Sequence, residues 1–198
     1  MSHGLNANTI VTTWYLDYQG EARQLPEWPA GFSLIEAEIP SPELSQFLFS
    51  AVGTPWGWFS RLSWTYQDWL DYLSSGQVRT WVLYKQGTPA GFIELWRHPE
   101  DQDSVELKFF GIMPAFIGQR LGPVMAQAAI ALAQQWSKGR VWVHTCSDDH
   151  PAALKTYQQA GFVVVGEEQE AASLPADYDQ IALSAPYIQS RLARFKQN

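Results

Sequence analysis

A single cysteine, Cys146, occurs among 198 residues. It excludes an internal disulfide framework and fits the reducing cytoplasm. Basic residues are also scarce: 13 Lys and Arg stand against 20 Asp and Glu, for a formal charge of −7. That balance argues against a nucleic-acid surface, which requires a basic patch, and favours cationic partners, amines among them. No apolar run approaches the ~20 residues of a bilayer crossing. The opening Met1-Ser2-His3-Gly4 has neither the basic nor the apolar region of an export signal. A soluble, unexported, cytoplasmic protein without a membrane partner is expected. No internal repeat, low-complexity tract or domain boundary interrupts the sequence, so one domain over residues 1–198 is expected.

What the chain does have is apolar and aromatic mass. Hydrophobic residues make up 46% of it, enough to bury a core and to make general disorder untenable. Of the ten tryptophans, Trp56, Trp58, Trp64 and Trp69 fall in one short stretch. They serve either as core or as an aromatic wall facing a ligand.

Residues 9–18 are β-branched and aromatic and read as a strand, as do residues 32–39. Ser41-Pro42-Glu43 is a helix entry, with a capping serine, a first-turn proline and an acid on the dipole; Gly53 stops that helix. A short helix is expected over 66–74. Strands over 79–85 and 90–97 flank the turn Gln86-Gly87-Thr88-Pro89, and a third strand runs over 105–112. Leu121, Val124, Met125, Ala128, Ala129 and Leu132 recur at helical spacing, which predicts a long helix to about residue 137. A strand over 140–145, a helix over 151–160 and a strand over 162–166 follow. The tail adds a strand over 180–184 and a helix over 186–196. The order implies a mixed sheet with helices on its faces, an α/β fold.

The stretch Phe109-Phe110-Gly111-Ile112-Met113-Pro114-Ala115-Phe116-Ile117-Gly118-Gln119-Arg120-Leu121-Gly122-Pro123 passes from a strand, through a proline corner and a glycine-bracketed turn, into the long helix. A helix start of this kind aims free N–H groups at one point, where an anion binds. Glycines at 118 and 122 permit close approach of a ligand, and Pro123 loses no helical bond in the first turn. The turn lacks the Gly-Lys-Ser/Thr ending of an NTPase phosphate loop. Further on, His150-Pro151-Ala152-Ala153-Leu154-Lys155-Thr156-Tyr157-Gln158-Gln159-Ala160-Gly161-Phe162 carries a second helix that ends at a glycine and enters a strand.

Together these segments resemble the acetyl-CoA-binding core of the GNAT superfamily of N-acetyltransferases, over roughly residues 79–166. The family signature Gln/Arg-x-x-Gly-x-Gly/Ala falls on Ile117, Gly118, Gln119, Arg120, Leu121 and Gly122. Ile117 replaces the polar first residue there, and Arg120 replaces the central glycine. The closing pattern Asn-x-x-Ala-x-x-x-Tyr-x-x-x-Gly-Phe falls on His150, Ala153, Tyr157, Gly161 and Phe162, with His150 in place of asparagine.

The resemblance implies a mixed, mostly antiparallel central sheet with an extra strand at its N-terminal end. Residues 1–78 would be the acceptor side, 79–166 the acyl-CoA-binding core and 167–198 a last strand and helix. It implies acetyl-CoA as donor, with no metal, bound along Phe110, Gly111, Ile112, residues 117–122, His150 and Tyr157. Transfer would go by direct attack to a small-molecule or peptide amine. Tyr157 would protonate the departing thiolate; otherwise it is an ordinary amphipathic tyrosine on a core-packing helix. Arg120 would meet a phosphate or point to solvent.

An amine also needs a proton acceptor. Glu106 lies on the strand entering the turn and Glu94 on the strand before it, near enough across a hairpin for one to raise the pKa of the other. Glu106 is the candidate base and Glu94 a base or ammonium binder; alternatively Glu106 pairs with Lys108 or lies exposed. Trp56, Trp58, Arg61 and Trp64 are the candidate acceptor wall.

Four other outcomes stay open. A non-catalytic acyl-CoA-binding module would keep the fold, as the altered residues 117 and 120 suggest. His144, Cys146, Asp148, Asp149 and His150 cluster without zinc-framework spacing. Cys146 could serve as a nucleophile, although no oxyanion element accompanies it. A homodimer would form if strand 9–18 lay on a sheet edge.

Overall fold

The computed structural model describes residues 10–171; the strand and helix expected over 180–184 and 186–196 lie outside them. Seven strands form one sheet, flanked by four α-helices. In chain order these are β1 (Ile10–Tyr18), β2 (Phe32–Glu36), α1 (Pro42–Gly53), α2 (Tyr66–Leu73), β3 (Val78–Lys85), β4 (Thr88–His98) and β5 (Ser104–Ile112). Then come α3 (Leu121–Trp136), β6 (Val141–Cys146), α4 (Ala153–Ala160) and β7 (Phe162–Ala171). The spatial order is β2-β3-β4-β5-β6-β1-β7. Every pairing is antiparallel except β5 with β6. No helix among the described residues is long and apolar enough to cross a membrane.

Local chemistry accounts for most boundaries. The Ser41 hydroxyl accepts the Leu44 N–H at the start of α1, and Thr65 with Asp68 forms a capping box at the start of α2. Gln86 and Gly87 both have positive φ, 48° and 82°, so two residues alone turn β3 into β4. Gly161, at φ 110°, stops α4. The strand expected over 32–39 ends at Glu36, and the one expected over 162–166 runs on to Ala171.

The strand near the start of the chain is not where sequence placed it. β1 lies inside the sheet, between β6 and β7, so it is no edge on which a second chain could pair. Its β-branched and aromatic composition is compatible with either position, and only the pairing of β7 outside it settles the matter.

Two cores lie on the two faces. Leu83, Ile93, Leu95 and Leu107 pack against Met125, Ala129 and Leu132 of α3 on one face. Val82, Phe92 and Met113 pack against Leu48 and Val52 of α1 on the other. Gly111 allows α1 to lie close on β5, because a Cβ there would overlap Val52. Lys108 forms a bulge: Glu94 pairs with Phe109 but Leu95 with Leu107.

Candidate active site

The recorded pairing of β5 with β6 covers Val105 with Val141 and Glu106 with Trp142. Beyond it the two parallel strands part. Met113 N–H donates to Ala90 O at 2.8 Å, so alternation turns the N–H of Gly111 toward β4. The N–H groups of Phe110 and Ile112 then face the gap. A cleft of about 1300 Å³ opens there, running from the start of α3 and the side of α4 to the loop after α1 and the edge of α2.

One half of the cleft is built by the turn into α3. Gly118 has φ 89° and Arg120 φ 59°, ψ 27°. Arg120 thus holds the left-handed conformation that a glycine would take, and the turn keeps its course despite the substitution. A Cβ on Gly118 would meet nothing within 4 Å, and one on Gly122 only Thr156, at 3.7 Å. The space beside both is therefore open. Ile117, Gly118, Arg120, Leu121 and Gly122 all line the cleft, as do Phe110, Gly111, Ile112 and His150; Gln119 does not. These open glycines and the free amides at the start of a 16-residue helix fit a diphosphate. Tyr157 is 6% exposed, reaches the same cleft and packs against Phe110 and Phe162. Burial, then the charge of Asp149, pushes its phenol well above the usual range, so it keeps its proton.

The loop after α1 reaches across to the loop after β6. Trp58 Nε1 donates to Asp149 at 3.1 Å, and the Trp56 and His150 rings meet edge to face at 4.9 Å. The other Asp149 oxygen accepts the Thr145 hydroxyl and the Cys146 N–H.

At the other end of the cleft both candidate carboxylates lie behind its wall. Glu94 and Glu106 are 2% and 1% exposed, and neither lines the cleft. They are not opposite one another: Glu94 pairs with Phe109 and Glu106 with Trp96, because the connection sets His98 opposite Ser104 and so centres the hairpin on residue 101 rather than 100. Each carboxylate is engaged by its own cation, and Glu106 is held below its ordinary value rather than raised. Glu94 accepts Arg61 at 2.9 Å and the Tyr72 hydroxyl at 2.6 Å. The Arg61 guanidinium lies 3.9 Å from the Tyr72 ring, 4.5 Å from Phe109 and 4.6 Å from Trp64. Burial and the Glu94 charge hold the Tyr72 phenol far above its ordinary value, as a fixed donor.

Glu106 accepts His144 Nδ1 at 2.9 Å and Lys108 Nζ at 3.2 Å, and lies 3.2 Å from His98 Nε2. Burial pushes its carboxyl up, but the bond from His144, the charge of Lys108 and the bond from His98 outweigh it. The net value lies below the ordinary 4.5. His98 has its other nitrogen 3.1 Å from Glu100. His144 lines the cleft, is 40% exposed, and has Nδ1 on Glu106. Sequence noted His144 only within a metal-like cluster. Its signal was alternation with the buried Val143 and Thr145 on β6, which turns it to the same face as Trp142 and Cys146.

Burial first, then the charge of Asp149, raises the Cys146 thiol to about 11, which keeps it protonated at neutral pH. Among the described residues no three His, Cys, Asp or Glu side chains converge as metal ligands.

The geometry has clear relatives. The pattern of the Acetyltransferase (GNAT) family matches residues 42–162, well over half of the chain. No curated protein sequence matches it. Among solved structures, the chain is similar to a GCN5-related N-acetyltransferase from Sphaerobacter thermophilus, at 15% identity and TM-score 0.56, over 81% of this chain and 51% of that one. It is similar to a GNAT-family protein from Novosphingobium aromaticivorans at 13% identity and TM-score 0.55, over 82% and 63%. It is also similar to an aminoglycoside acetyltransferase from an uncultured soil metagenomic sample, at 15% identity and TM-score 0.52, over 74% and 96%. The chain thus spans only half to two-thirds of the length of the first two. At such identities these likenesses speak for the fold, and the matched family pattern speaks for descent: this chain belongs to the GNAT acetyltransferase family.

Proposed function

We propose that the protein is an N-acetyltransferase that moves an acetyl group from acetyl-CoA to an amine by direct attack in a ternary complex. The observation that carries this reading is the single cleft shared by the free amides of β5, the turn into α3 and the Tyr157 phenol. Bound acetyl-CoA would supply an activated thioester. The N–H groups of residues 118–122 bind the diphosphate, and Arg120 adds a charge at the rim. The Phe110 or Ile112 N–H polarises the carbonyl. As the amine nitrogen bonds to the acetyl carbon and the carbon–sulfur bond breaks, Tyr157 gives its proton to sulfur.

Glu106 serves the amine through His144. With its Nδ1 proton on Glu106, a neutral His144 presents an unprotonated Nε2 to the cleft and takes the proton that the amine loses. His98 is less suited, since carboxylates flank both of its nitrogens.

Release of free thiol from acetyl-CoA in the presence of amines, together with calorimetric CoA binding, tests the reading. The parent is expected to bind CoA and to release thiol only when an amine is present. Binding without turnover across amines would instead mark a non-catalytic acyl-CoA module. Gly122→Val is expected to lose at least ten-fold in CoA affinity with little change in melting temperature, because a Cβ at 122 finds only an ordinary contact within the protein. Equal affinity in the two proteins would move the diphosphate elsewhere.

A further inference from the structure

Where β5 and β6 part, the sheet loses the ladder that would hold its two halves at a fixed spacing. The groups that serve the transfer stand on opposite banks of that gap: the Phe110 and Ile112 N–H groups on β5, and the Tyr157 phenol on α4, which follows β6. The Phe110 ring reaches Tyr157 at 5.7 Å, a contact between rings that fixes no direction. A hydrogen bond crosses too, beyond the one that joins His144 to Glu106: Trp58 Nε1 donates to Asp149 Oδ1 at 3.1 Å. Each end of it is anchored to its own bank. The Trp58 indole lies against Phe109 at 4.9 Å, and Gly53 makes its seat, since a Cβ there would overlap the ring. Asp149 is held at the end of β6 by the Thr145 hydroxyl at 2.7 Å and the Cys146 N–H at 3.0 Å, both on its other oxygen. These three donors are all neutral, and bonds onto a carboxylate are stronger than those onto a neutral acceptor.

We propose that the Trp58–Asp149 bond is a tie that sets the width of the gap, and with it the distance from the amide that polarises the carbonyl to the phenol that protonates sulfur. The proposal deepens the acetyltransferase reading above and rests on it. Trp58 and Asp149 are then positioning residues for the transfer. Trp58, expected from sequence in the acceptor wall, has its one polar side-chain atom turned to Asp149 instead. An oxyanion donor works at roughly 2.7–3.1 Å from the charge it meets. A misplacement of about 1 Å can cost ~100-fold in rate. An untied gap loosens that spacing. CoA affinity does not follow it, because neither residue belongs to the turn into α3 that would take the diphosphate.

The test compares the parent with Trp58→Phe, Asp149→Asn and the double variant. Phenylalanine keeps a ring on Phe109 but has no N–H. Asparagine can leave its oxygen on Thr145 and Cys146, which sets its NH2 against the indole N–H, donor facing donor. Thiol release from acetyl-CoA is measured with hexylamine, 2-phenylethylamine, spermidine and kanamycin, and the fastest of these with the parent serves throughout. Each single variant is expected to lower kcat about ten-fold or more, with KM for acetyl-CoA nearly unchanged. The double variant should fall no further than the slower single one, because both substitutions remove the same bond. Hydrogen exchange over residues 109–113, followed without amine, should quicken alike in all three variants. A kcat equal to the parent's in either single variant overturns the tie and leaves transfer standing. A double variant whose loss is the product of the two single losses overturns it as well. If the parent releases no thiol with any of these amines, the transfer reading falls and exchange alone decides. Quickening alike in the three variants then upholds the tie, and unchanged exchange overturns it.

Discussion

Arg61 shows how a residue picked as a ligand contact becomes part of the frame. It is 4% exposed, it pairs with Glu94, and aromatic rings surround it. Its charge is spent inside the protein, so it shapes the acceptor wall more than it binds anything there. Arg61→Ala would leave Glu94 buried with only the Tyr72 hydroxyl as donor, and breaking a buried pair from one side costs about 3–5 kcal/mol. A melting transition lower by many degrees is expected; an unchanged one would mean that the pair contributes nothing.

Tyr157 carries the opposite expectation. Its ring packs on Phe110 and Phe162, and in the proposed mechanism its hydroxyl is the proton donor. Tyr157→Phe should keep stability and CoA affinity while lowering turnover about ten- to a thousand-fold, the usual span of acid–base contributions. Full turnover with the preferred amine would remove the phenol from the mechanism. Tyr157 was legible in sequence because tyrosine, glycine and phenylalanine recur at fixed spacing around it. His144 was less so, since its role depends on Glu106, which reaches it only through the β5–β6 pairing.

Among the elements, the turn into α3 was read most fully from sequence, and one of its two departures from the signature is explained by backbone geometry. A glycine was replaced, yet Arg120 adopts the same left-handed conformation, at a cost of about 1–2 kcal/mol for an L-residue. Arg120→Gly should relieve that strain, offset in part by the greater freedom of glycine in the unfolded chain, for a net gain of up to ~1 kcal/mol. If the guanidinium meets a phosphate, the same variant should also weaken CoA binding at low salt more than at high salt. Denaturant melts and calorimetry at two ionic strengths separate the two effects. A destabilised variant would mean that the guanidinium holds the turn by contacts of its own. The Gln86-Gly87 hairpin and the Gly161 stop were legible for the same reason, since a few residues fix local torsions. The bulge at Lys108 was not, because nothing in Leu107-Lys108-Phe109 signals an extra residue until β4 pairs with it.

Across the molecule, what sequence did not reveal is long-range pairing: β1 slots between strands that follow it by more than a hundred residues, and Glu106 ties three strands together. Its partners come from β4 (His98), β5 itself (Lys108) and β6 (His144), so its ionisation is coupled to folding as a whole. The sign follows from its lowered value. As pH falls, the unfolded chain takes up this proton before the folded one does. Its contribution is therefore complete above the unfolded carboxylate range and disappears as pH drops through the lower folded value. Asp68 and Asp101 are likewise held low, first by hydrogen bonds from Thr65 and Ser104, so the parent's acid limb contains their share as well. The difference between the parent and Glu106→Gln isolates the one group. That variant should be less stable at neutral pH, and the gap should close on acidification below about pH 4. Its turnover should fall with CoA affinity retained, since His144 loses its anionic partner. A stability gap that stays constant from pH 7 to pH 3 would show that the carboxylate is not held ionised by the three strands. Unchanged turnover would show that His144 does not depend on it.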